Sequence, residues 1–383
     1  MVRILWLHGP PAVGKSVTAW ELLNRLAADE PATAYVDIDQ LGMSTCDETT
    51  DPGAHRLKAE ALAAVAHEFA RHGSPTLVVS GVVGLDLLPF SAQTLAGFDL
   101  SFVRLRAPLA ELRRRLEGRG LYAEDWPGVE EYARELDVAD LGHPVVDTAG
   151  ASPAEVAASV LASLEGHHGA PAAGSTALSQ PNAPDQHLDH RALLLGGTTA
   201  VGKSTIGWQA FMAAGGPDAG CAFVDLRQLG FVGRDGGSVD HGLQARNLGA
   251  LWRVFRAHGA HRLIVNGPVD TRHDALRYHA ALEPTPLVAL RLTARPEVLL
   301  ERVRARLRGE MAPLAGDLLV GRPQGDAAEI AHAAVRLQDQ VGDDPGFEVM
   351  DTSDLDAGES AQQVLGRLIA SRSAVKRRSA QQD

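Results

Sequence analysis

The chain repeats itself, and the repeat restricts the possible fold more than any other feature of its 383 residues. GPPAVGKS at 9–16 recurs as GTTAVGKS at 197–204, each time directly after an apolar run, ILWLH first and ALLLG second. The likeness continues past these loops. AYVDIDQLG (34–42) matches AFVDLRQLG (222–230) without a gap, and RHGSPTLVVSG (71–81) matches AHGAHRLIVNG (257–267). VRLRAP (103–108) then matches LRLTARP (290–296), and VVDTAG (145–150) matches VMDTSD (349–354). One segment has been duplicated. In each copy strand-length apolar runs alternate with helical stretches, the pattern of a parallel sheet covered by helices on both faces.

The organisation follows from the repeat. Residues 1–166 and 191–372 are expected to form two domains, and 373–383, polar and basic, a disordered tail. Between the copies, 167–190 is rich in Pro, Gly, Ala and Ser and has no apolar period, so it reads as a flexible linker. His167, His168, His187 and His190 in that stretch read as solvated side chains rather than metal ligands. A length of 383 residues suits two or three domains. A formal charge of −12 argues against a nucleic-acid partner. No apolar run is long enough to cross a membrane, and MVRILWLHG leads straight into the first loop, leaving no room for a signal peptide. Cys46 and Cys221 lie far apart without metal-ligand spacing. A cytoplasmic protein is expected, with its oligomeric state open.

The repeated loop has the form GxxxxGK[ST] between a strand and a helix. Its backbone N–H groups and the helix N-terminus cradle phosphates, its Lys reaches the β- and γ-phosphates, and its hydroxyl takes Mg²⁺. The expected nucleotide contacts are therefore Gly9, Pro10, Pro11, Ala12, Val13, Gly14, Lys15, Ser16 and Val17. In the second copy they are Gly197, Thr198, Thr199, Ala200, Val201, Gly202, Lys203, Ser204 and Thr205. Ser16 and Ser204 are the metal-side residues, and ATP with Mg²⁺ the expected cofactors, with a preference for ATP over GTP not readable from the loop. The fold class is thus α/β: two P-loop NTPase domains, each a doubly wound parallel five-stranded sheet in the order 2-3-1-4-5 with an Arg-rich helical lid.

Motor and switch NTPases need an acidic residue at the end of a further apolar strand, or a guanine-reading segment. The third strands here end in VVSG (78–81) and IVNG (264–267), and no Asn-Lys-x-Asp segment occurs. Carboxylates instead follow the second strand: Asp37 and Asp39 in YVDID, Asp225 in FVDLR. Strand C-termini line the ligand crevice of a doubly wound sheet, so one carboxylate is placed to order Mg²⁺ water and another to accept the proton of an attacking hydroxyl. The alternative for each is a turn or cap residue. Lys15, Lys203, Asp37, Asp39 and Asp225 are the catalytic candidates from these motifs.

The P-loop, the Asp-x-Asp turn, the Gly closing strand three and an Arg-rich helix together resemble the small P-loop kinases. Shikimate, gluconate, adenylylsulfate and nucleoside monophosphate kinases are nearest by motif, and the second copy is also similar to chloramphenicol phosphotransferase. The resemblance implies phosphoryl transfer from ATP to a small acceptor. It also gives meaning to LAELRRRLEGRG (109–120) and VLLERVRARLRG (298–309), whose Arg pairs share one helical face at i, i+4. In similar kinases the first Arg stacks on adenine and the second clamps the transferring phosphate, which assigns Arg115 and Arg302 to nucleotide, Arg119 and Arg306 to catalysis. Asp147-Thr148 and Asp351-Thr352 fall at the adenine-side loop. A solvated basic face is the alternative for the arginines.

Acceptor recognition is less defined. Arg56, Lys58 and Arg246 are candidates for an anionic acceptor or for plain surface solvation, and Gly81 and Gly267 for close backbone approach. The copies also differ: Arg227 replaces Asp39, and MAPLAGDLLVGRPQGD (311–326) lengthens the second lid. The second copy is thus expected either to take a different acceptor or to bind ATP without turnover. The expected function is ATP-dependent phosphorylation of a small metabolite or natural product. The alternatives are a nucleoside or nucleotide kinase and a non-catalytic ATP-binding sensor or scaffold.

Overall fold

The computed structural model describes residues 2–45, 51–118, 126–165, 189–215, 219–310, 319, 321–342, 344 and 346–370. Cys46, Arg119, nearly all of the linker 167–190, most of 311–326 and the tail 373–383 lie outside the described residues.

The chain divides into two compact units, and the division interleaves the two halves of the sequence. The first unit comprises Met1–Gly42, Gly53–Gln180 and Gly230–Leu243; the second comprises Met43–Pro52, Pro181–Leu229 and Gln244–Asp383. In the first, β1 (Arg3–His8) leads into α1 (Lys15–Leu26), then β2 (Ala34–Asp37), a 3-10 turn at Ile38–Leu41 and α2 (His55–His72). There follow β3 (Thr76–Ser80), α3 (Leu88–Thr94), β4 (Asp99–Arg106), α4 (Leu109–Glu117), α5 (Trp126–Val138), β5 (Val145–Asp147) and α6 (Pro153–Leu164). These five strands are parallel and lie in the order β5-β4-β1-β3-β2. Central β1 is buried on both faces, from Ile4 to His8, as a helix-covered parallel strand must be. The helix ends carry their own stop and start signals. α2 stops at Gly73, whose φ of 94° lets the chain turn away, and α6 starts with a capping box between Ser152 and Glu155, Pro153 following at its first position.

The second unit repeats this plan. β6 (Arg191–Gly196), α7 (Lys203–Ala213) and β7 (Cys221–Asp225) are followed by a 3-10 turn at Leu226–Leu229, after which the chain passes through the short strand β8 (Phe231–Val232) of the first unit. Then come α8 (His241–Ala257), β9 (Arg262–Asn266), α9 (Arg272–Leu282), β10 (Leu287–Thr293), α10 (Pro296–Leu307), α11 (Ala327–Val341), β11 (Glu348–Asp351) and α12 (Ala357–Ala370). The five-stranded sheet, β11-β10-β6-β9-β7, is entirely parallel. Numbered within each copy, both sheets follow the expected order 2-3-1-4-5.

The first sheet departs from the expected five parallel strands by one. β8 belongs to the first unit and pairs antiparallel with β2, placing Tyr35 opposite Phe231 and Ala34 opposite Val232. The physical reason is the open edge of β2, whose unpaired N–H and C=O groups accept another strand. Phe231 is 2% exposed and packs edge-on to Trp20 and beside Tyr35, at ring separations of 5.1 and 6.0 Å. Gly233 N donates to Thr33 O (2.8 Å) and Asp235 N to Asn24 Oδ1 (2.7 Å), so the segment is anchored beyond its two paired residues. The second unit has a lighter counterpart. Ser44 bridges antiparallel to Ala222, Phe223 N donates to Met43 O (2.9 Å) and Thr45 N to Cys221 O (2.9 Å). Cys221 itself is buried.

Among the described residues no helix is long and apolar enough to cross a membrane, and no group of three or more His, Cys, Asp or Glu is clustered for a metal.

Candidate functional site

Each repeated loop wraps a strand end and opens a helix. In the first unit Gly14 caps α1 with φ 103°, and in the second Gly202 caps α7 with φ 99°. Four residues into each loop an alanine takes the left-handed region, Ala12 at φ 63° and Ala200 at φ 66°. A residue with a Cβ is uncommon there, and the same strained step in both copies turns successive N–H groups inward as an anion nest. The loop also sits tightly against the sheet: a Cβ on Gly9 would fall 2.4 Å from Leu105 O, and one on Gly197 2.4 Å from Leu292 O.

The loop lysines are drawn back over their own backbones. Lys15 Nζ donates to Gly9 O and Pro10 O at 2.9 Å each, and Lys203 Nζ to Gly197 O and Thr198 O at 2.6 and 2.7 Å. Neutral carbonyls are weaker acceptors than phosphate oxygens, so an incoming polyphosphate competes well for either ammonium. Burial pushes the Lys203 ammonium down to about 8, with Asp270 and Asp225 opposing that shift.

The loop serines face the carboxylates at the ends of the second strands. Ser16 Oγ donates to Asp37 Oδ2 (3.2 Å), and Ser80 Oγ, itself bonded to Tyr35 Oη (2.9 Å), reaches the same oxygen at 3.3 Å. Asp37 Oδ1 accepts from Asp39 N (3.0 Å), which folds the 3-10 turn and brings the second carboxylate round. Loss of water by burial, then the neighbouring Asp39 charge, push the Asp37 carboxyl up to about 6. Asp39 pairs with Lys58 Nζ at 2.8 Å. Its other oxygen lies on the Gly81 side: a Cβ on Gly81 would stand 3.5 Å from Asp39 Oδ2 and only 2.2 Å from Ile38 Cγ2. Glycine at 81 is what lets this turn close against β3. Beyond it a cavity of about 990 Å³ opens between the loop Val82–Asp86 and α5, where Tyr132 Oη donates to Val83 O (2.7 Å).

In the second unit Ser204 Oγ donates to Asp225 Oδ2 (3.4 Å), and Asn266, aligned with Ser80, donates through Nδ2 to Ser204 Oγ (3.0 Å) and Asp225 Oδ2 (3.1 Å). Burial raises the Asp225 carboxyl, while the Arg227 N–H (2.9 Å) and Asn266 bonds restrain the rise. Gly267 repeats the Gly81 device, since a Cβ there would meet Leu226 at 2.8 Å. The Asp39–Lys58 positions carry different residues in this copy. Arg227 stands where Asp39 does, and Gln244, aligned with Lys58, is buried and accepts from Tyr278 Oη (2.9 Å). The two substitutions replace an acid and a base by a base and a neutral amide.

The helices following β4 and β10 repeat one contact closely. Arg115 donates to Val13 O (3.2 Å), Thr148 Oγ1 (3.0 Å) and Thr148 O (2.9 Å); Arg302 donates to Val201 O (3.1 Å), Thr352 Oγ1 (2.9 Å) and Thr352 O (2.9 Å). Both threonines are buried, and each also donates to the same loop carbonyl as its arginine. Glu111 steadies Arg115 at 2.7 Å. Each arginine thus ties three elements together: the phosphate loop, the lid helix and the loop after the last strand. In the second unit a cavity of about 870 Å³ is lined by Thr199, Ala200, Gly202, Lys203, Ser204, Thr205, Asp225, Arg227, Asn266, Arg302, Arg306 and Arg322, among others. Its concave wall brings the phosphate loop and Lys203, four arginines and the three carboxylates Asp225, Glu329 and Asp356 to one space.

Comparison with known proteins adds distant likenesses at the level of structure. No family model and no curated protein matches the chain. The tunicamycin resistance protein of Deinococcus radiodurans is similar at 22% identity, covering 43% of this chain and 96% of that one, TM-score 0.34. The APS kinase of Mycobacterium tuberculosis, solved with AMPPNP and APS, is similar at 20% identity over 43% of this chain and 98% of its own, TM-score 0.33. A gluconokinase of Sinorhizobium meliloti is similar at 20% identity over 42% and 90%, TM-score 0.30. Each likeness extends over less than half of this chain.

The residues singled out by motif fall into three groups. The loop residues, Asp37, Asp39, Asp225, Arg115 and Arg302 gather around the strand ends, and Arg306 lines the second cavity. Lys58 is engaged with Asp39, Arg56 lies over the Phe90 ring at 4.8 Å, and Arg246 is exposed on α8. Arg119 lies outside the described residues. Tyr35, Ser80 and Asn266, which orient the carboxylates, escaped motif reading, although Ser80 and Asn266 each stand directly before the glycine that ends VVSG and IVNG.

Proposed function

We propose that this protein is an ATP-dependent phosphotransferase acting on small acceptors, with the first copy a kinase of ordinary layout and the second altered in acceptor choice. The observation that carries this reading is the Ser16–Asp37–Asp39 arrangement: a phosphate loop whose hydroxyl meets one carboxylate while a second carboxylate, two residues on, faces the acceptor side. A site that only binds nucleotide has no use for that second carboxylate.

The division of labour follows from the contacts. Loop N–H groups, the α1 terminus and Lys15 hold the β- and γ-phosphates. Ser16 Oγ and Asp37 are hard oxygen donors of the kind Mg²⁺ takes, directly or through its water, and the ion would supply charge neutralisation across the phosphates. Asp39 accepts the proton of the attacking hydroxyl, and Lys58, paired with it at 2.8 Å, holds that carboxylate in place. Arg115 locks the loop to the lid helix and to Thr148, fixing the cradle before nucleotide arrives.

Arg227 favours a second reading for the other site. As a cation at the position that carries Asp39 in the first copy, it either meets an anionic acceptor or marks a pocket that holds ATP without transfer. The experiment is a screen of metabolite and nucleoside pools with ATP and Mg²⁺ using the full chain, read as a phosphoryl mass increment. Products formed by wild type and lost in Lys15→Ala support the kinase reading. Nucleotide binding with no product in any pool would favour a sensor or scaffold.

A further inference from the structure

The segments that leave the two acidic turns end on strands of the opposite copy, and they do so reciprocally. From Asp39 the chain runs four residues to Met43, whose carbonyl accepts from Phe223 N, and Phe223 stands two residues before Asp225. From Arg227 it runs four residues to Phe231, which pairs with Tyr35, and Tyr35 stands two residues before Asp37. The two paths close a ring: Asp37, turn, Met43, Phe223, Asp225, turn, Phe231, Tyr35, Asp37. Each link is either a short covalent turn or a pairing inside one compact unit.

The links are too short to absorb movement silently. Four residues span at most about 14 Å when extended, and here both turns are coiled as 3-10 helix, fixed at one end by a carboxylate that accepts from the turn's own N–H. The other ends are equally fixed. Phe231 is buried among Trp20 and Tyr35, with Gly233 and Asp235 hydrogen-bonded beyond it, and Met43 packs against the core of the second unit. When a ligand reorders the hydrogen bonds of one carboxylate, the turn that hangs from it must shift or tighten. That change is delivered to the strand whose last residue is the other carboxylate.

We infer that the two phosphate sites are coupled through this ring, so that nucleotide at one site orders the acidic turn and edge strand of the other and raises its affinity. The inference rests on the nucleotide-binding reading above. The sign follows from the cost of ordering: a turn already held by its neighbour's ligand loses less conformational freedom when its own ligand arrives. By linkage the effect is mutual, and couplings of this kind are typically about 5- to 150-fold in affinity.

The test uses the full chain and a non-hydrolysable ATP analogue with Mg²⁺, the analogue being kept to one site by Lys15→Ala or Lys203→Ala. Calorimetry on wild type should show at least about fivefold tighter binding at each site than the corresponding single-site chain. Hydrogen exchange should report it at a distance: with only the second site filled, in Lys15→Ala, the amides of Tyr35, Asp37 and Asp39 should slow. A Gly-Gly insertion between Leu229 and Gly230, with another between Gly42 and Met43, slackens both turns but leaves the docked segments their contacts. In that chain both sites should still bind while the affinity difference and the distant protection disappear. Phe231→Ala provides a second route to the same loss. Independent binding in wild type, or protection that survives the insertions, overturns the coupling. No heat in wild type overturns the nucleotide reading and the coupling with it, and differs plainly from two sites that bind independently.

Discussion

The two phosphate loops and the two turns that face them have had different histories in the same duplicated chain. The loops agree in backbone, in their left-handed alanines, in the lysine drawn back over the first carbonyls and in the arginine that ties them to the lid. The turns agree in shape but not in charge, since Asp39 with Lys58 has become Arg227 with Gln244. A loop that grips phosphate through N–H groups and one ammonium tolerates few changes. A turn that meets the acceptor can change its side chains freely as long as its first carboxylate and the glycine beneath it remain. On the proposed phosphotransferase reading, what the copies share falls at the donor side and what differs falls at the acceptor side.

The largest expected effect tests the carboxylates. Asp39→Asn should slow product formation at the first site by about 10²–10⁴-fold with the nucleotide still bound, measured by single-turnover transfer alongside calorimetry. Near-normal turnover would reduce Asp39 to a turn residue and erase the functional half of the comparison. Next comes the sheet edge. Phe231→Ala should cost about 3–5 kcal/mol in the urea transition of the first unit followed by tryptophan fluorescence, whereas Met43→Ala, at a partly buried position on a single bridge, should cost less. Equal losses would mean that the two edges are held alike.

Lys15→Ala and Lys203→Ala should each weaken nucleotide binding at their own site by about 1.5–3 kcal/mol. They sharpen the comparison through product rather than affinity: one variant should abolish a given product and the other alter it only modestly. Two variants that each keep half of one activity would show equivalent sites. The smallest effect is with pH. It is read on the ligand-free chain, where burial and the Asp39 charge push the Asp37 carboxyl up to about 6. A raised carboxyl favours the fold when protonated, so its contribution is full below 3.8 and is lost as pH climbs through about 6. Asp37→Asn should flatten that loss in a urea titration across the same range.

Much of the fold was legible because the repeat supplied two readings of every element. The alternation of strands and helices and the loops at β1 and β6 come from periodicity joined to the glycine-lysine motif, whereas the strand order and the lid helices come with the resemblance to small P-loop kinases. The edge segments were not legible for a physical reason. Phe231–Val232 is two residues long, too short for any alternating pattern, and its place on β2 is decided by an open edge and an aromatic pocket formed by Trp20 and Tyr35 far away in sequence. At the site, charged and catalytic residue types announced themselves, whereas Ser80 and Asn266 are ordinary polar residues at strand ends. Their importance comes from which carboxylate lies beside them. Lys58 was legible as a cation but not as the partner of Asp39, since that pairing depends on how α2 returns over the turn.

The crossed edge strands bear on why a chain keeps two copies at all. Once each copy lends the other the segment that covers its sheet edge, deleting either one would leave the survivor with a bare row of N–H and C=O groups beside exposed aromatic surface, the kind of edge that recruits other chains into aggregates. A second copy that had lost its chemistry altogether would still be retained for the cover it provides. Duplication of this sort works as a ratchet: losing either half would uncover an edge of the other, whatever activity that half carries.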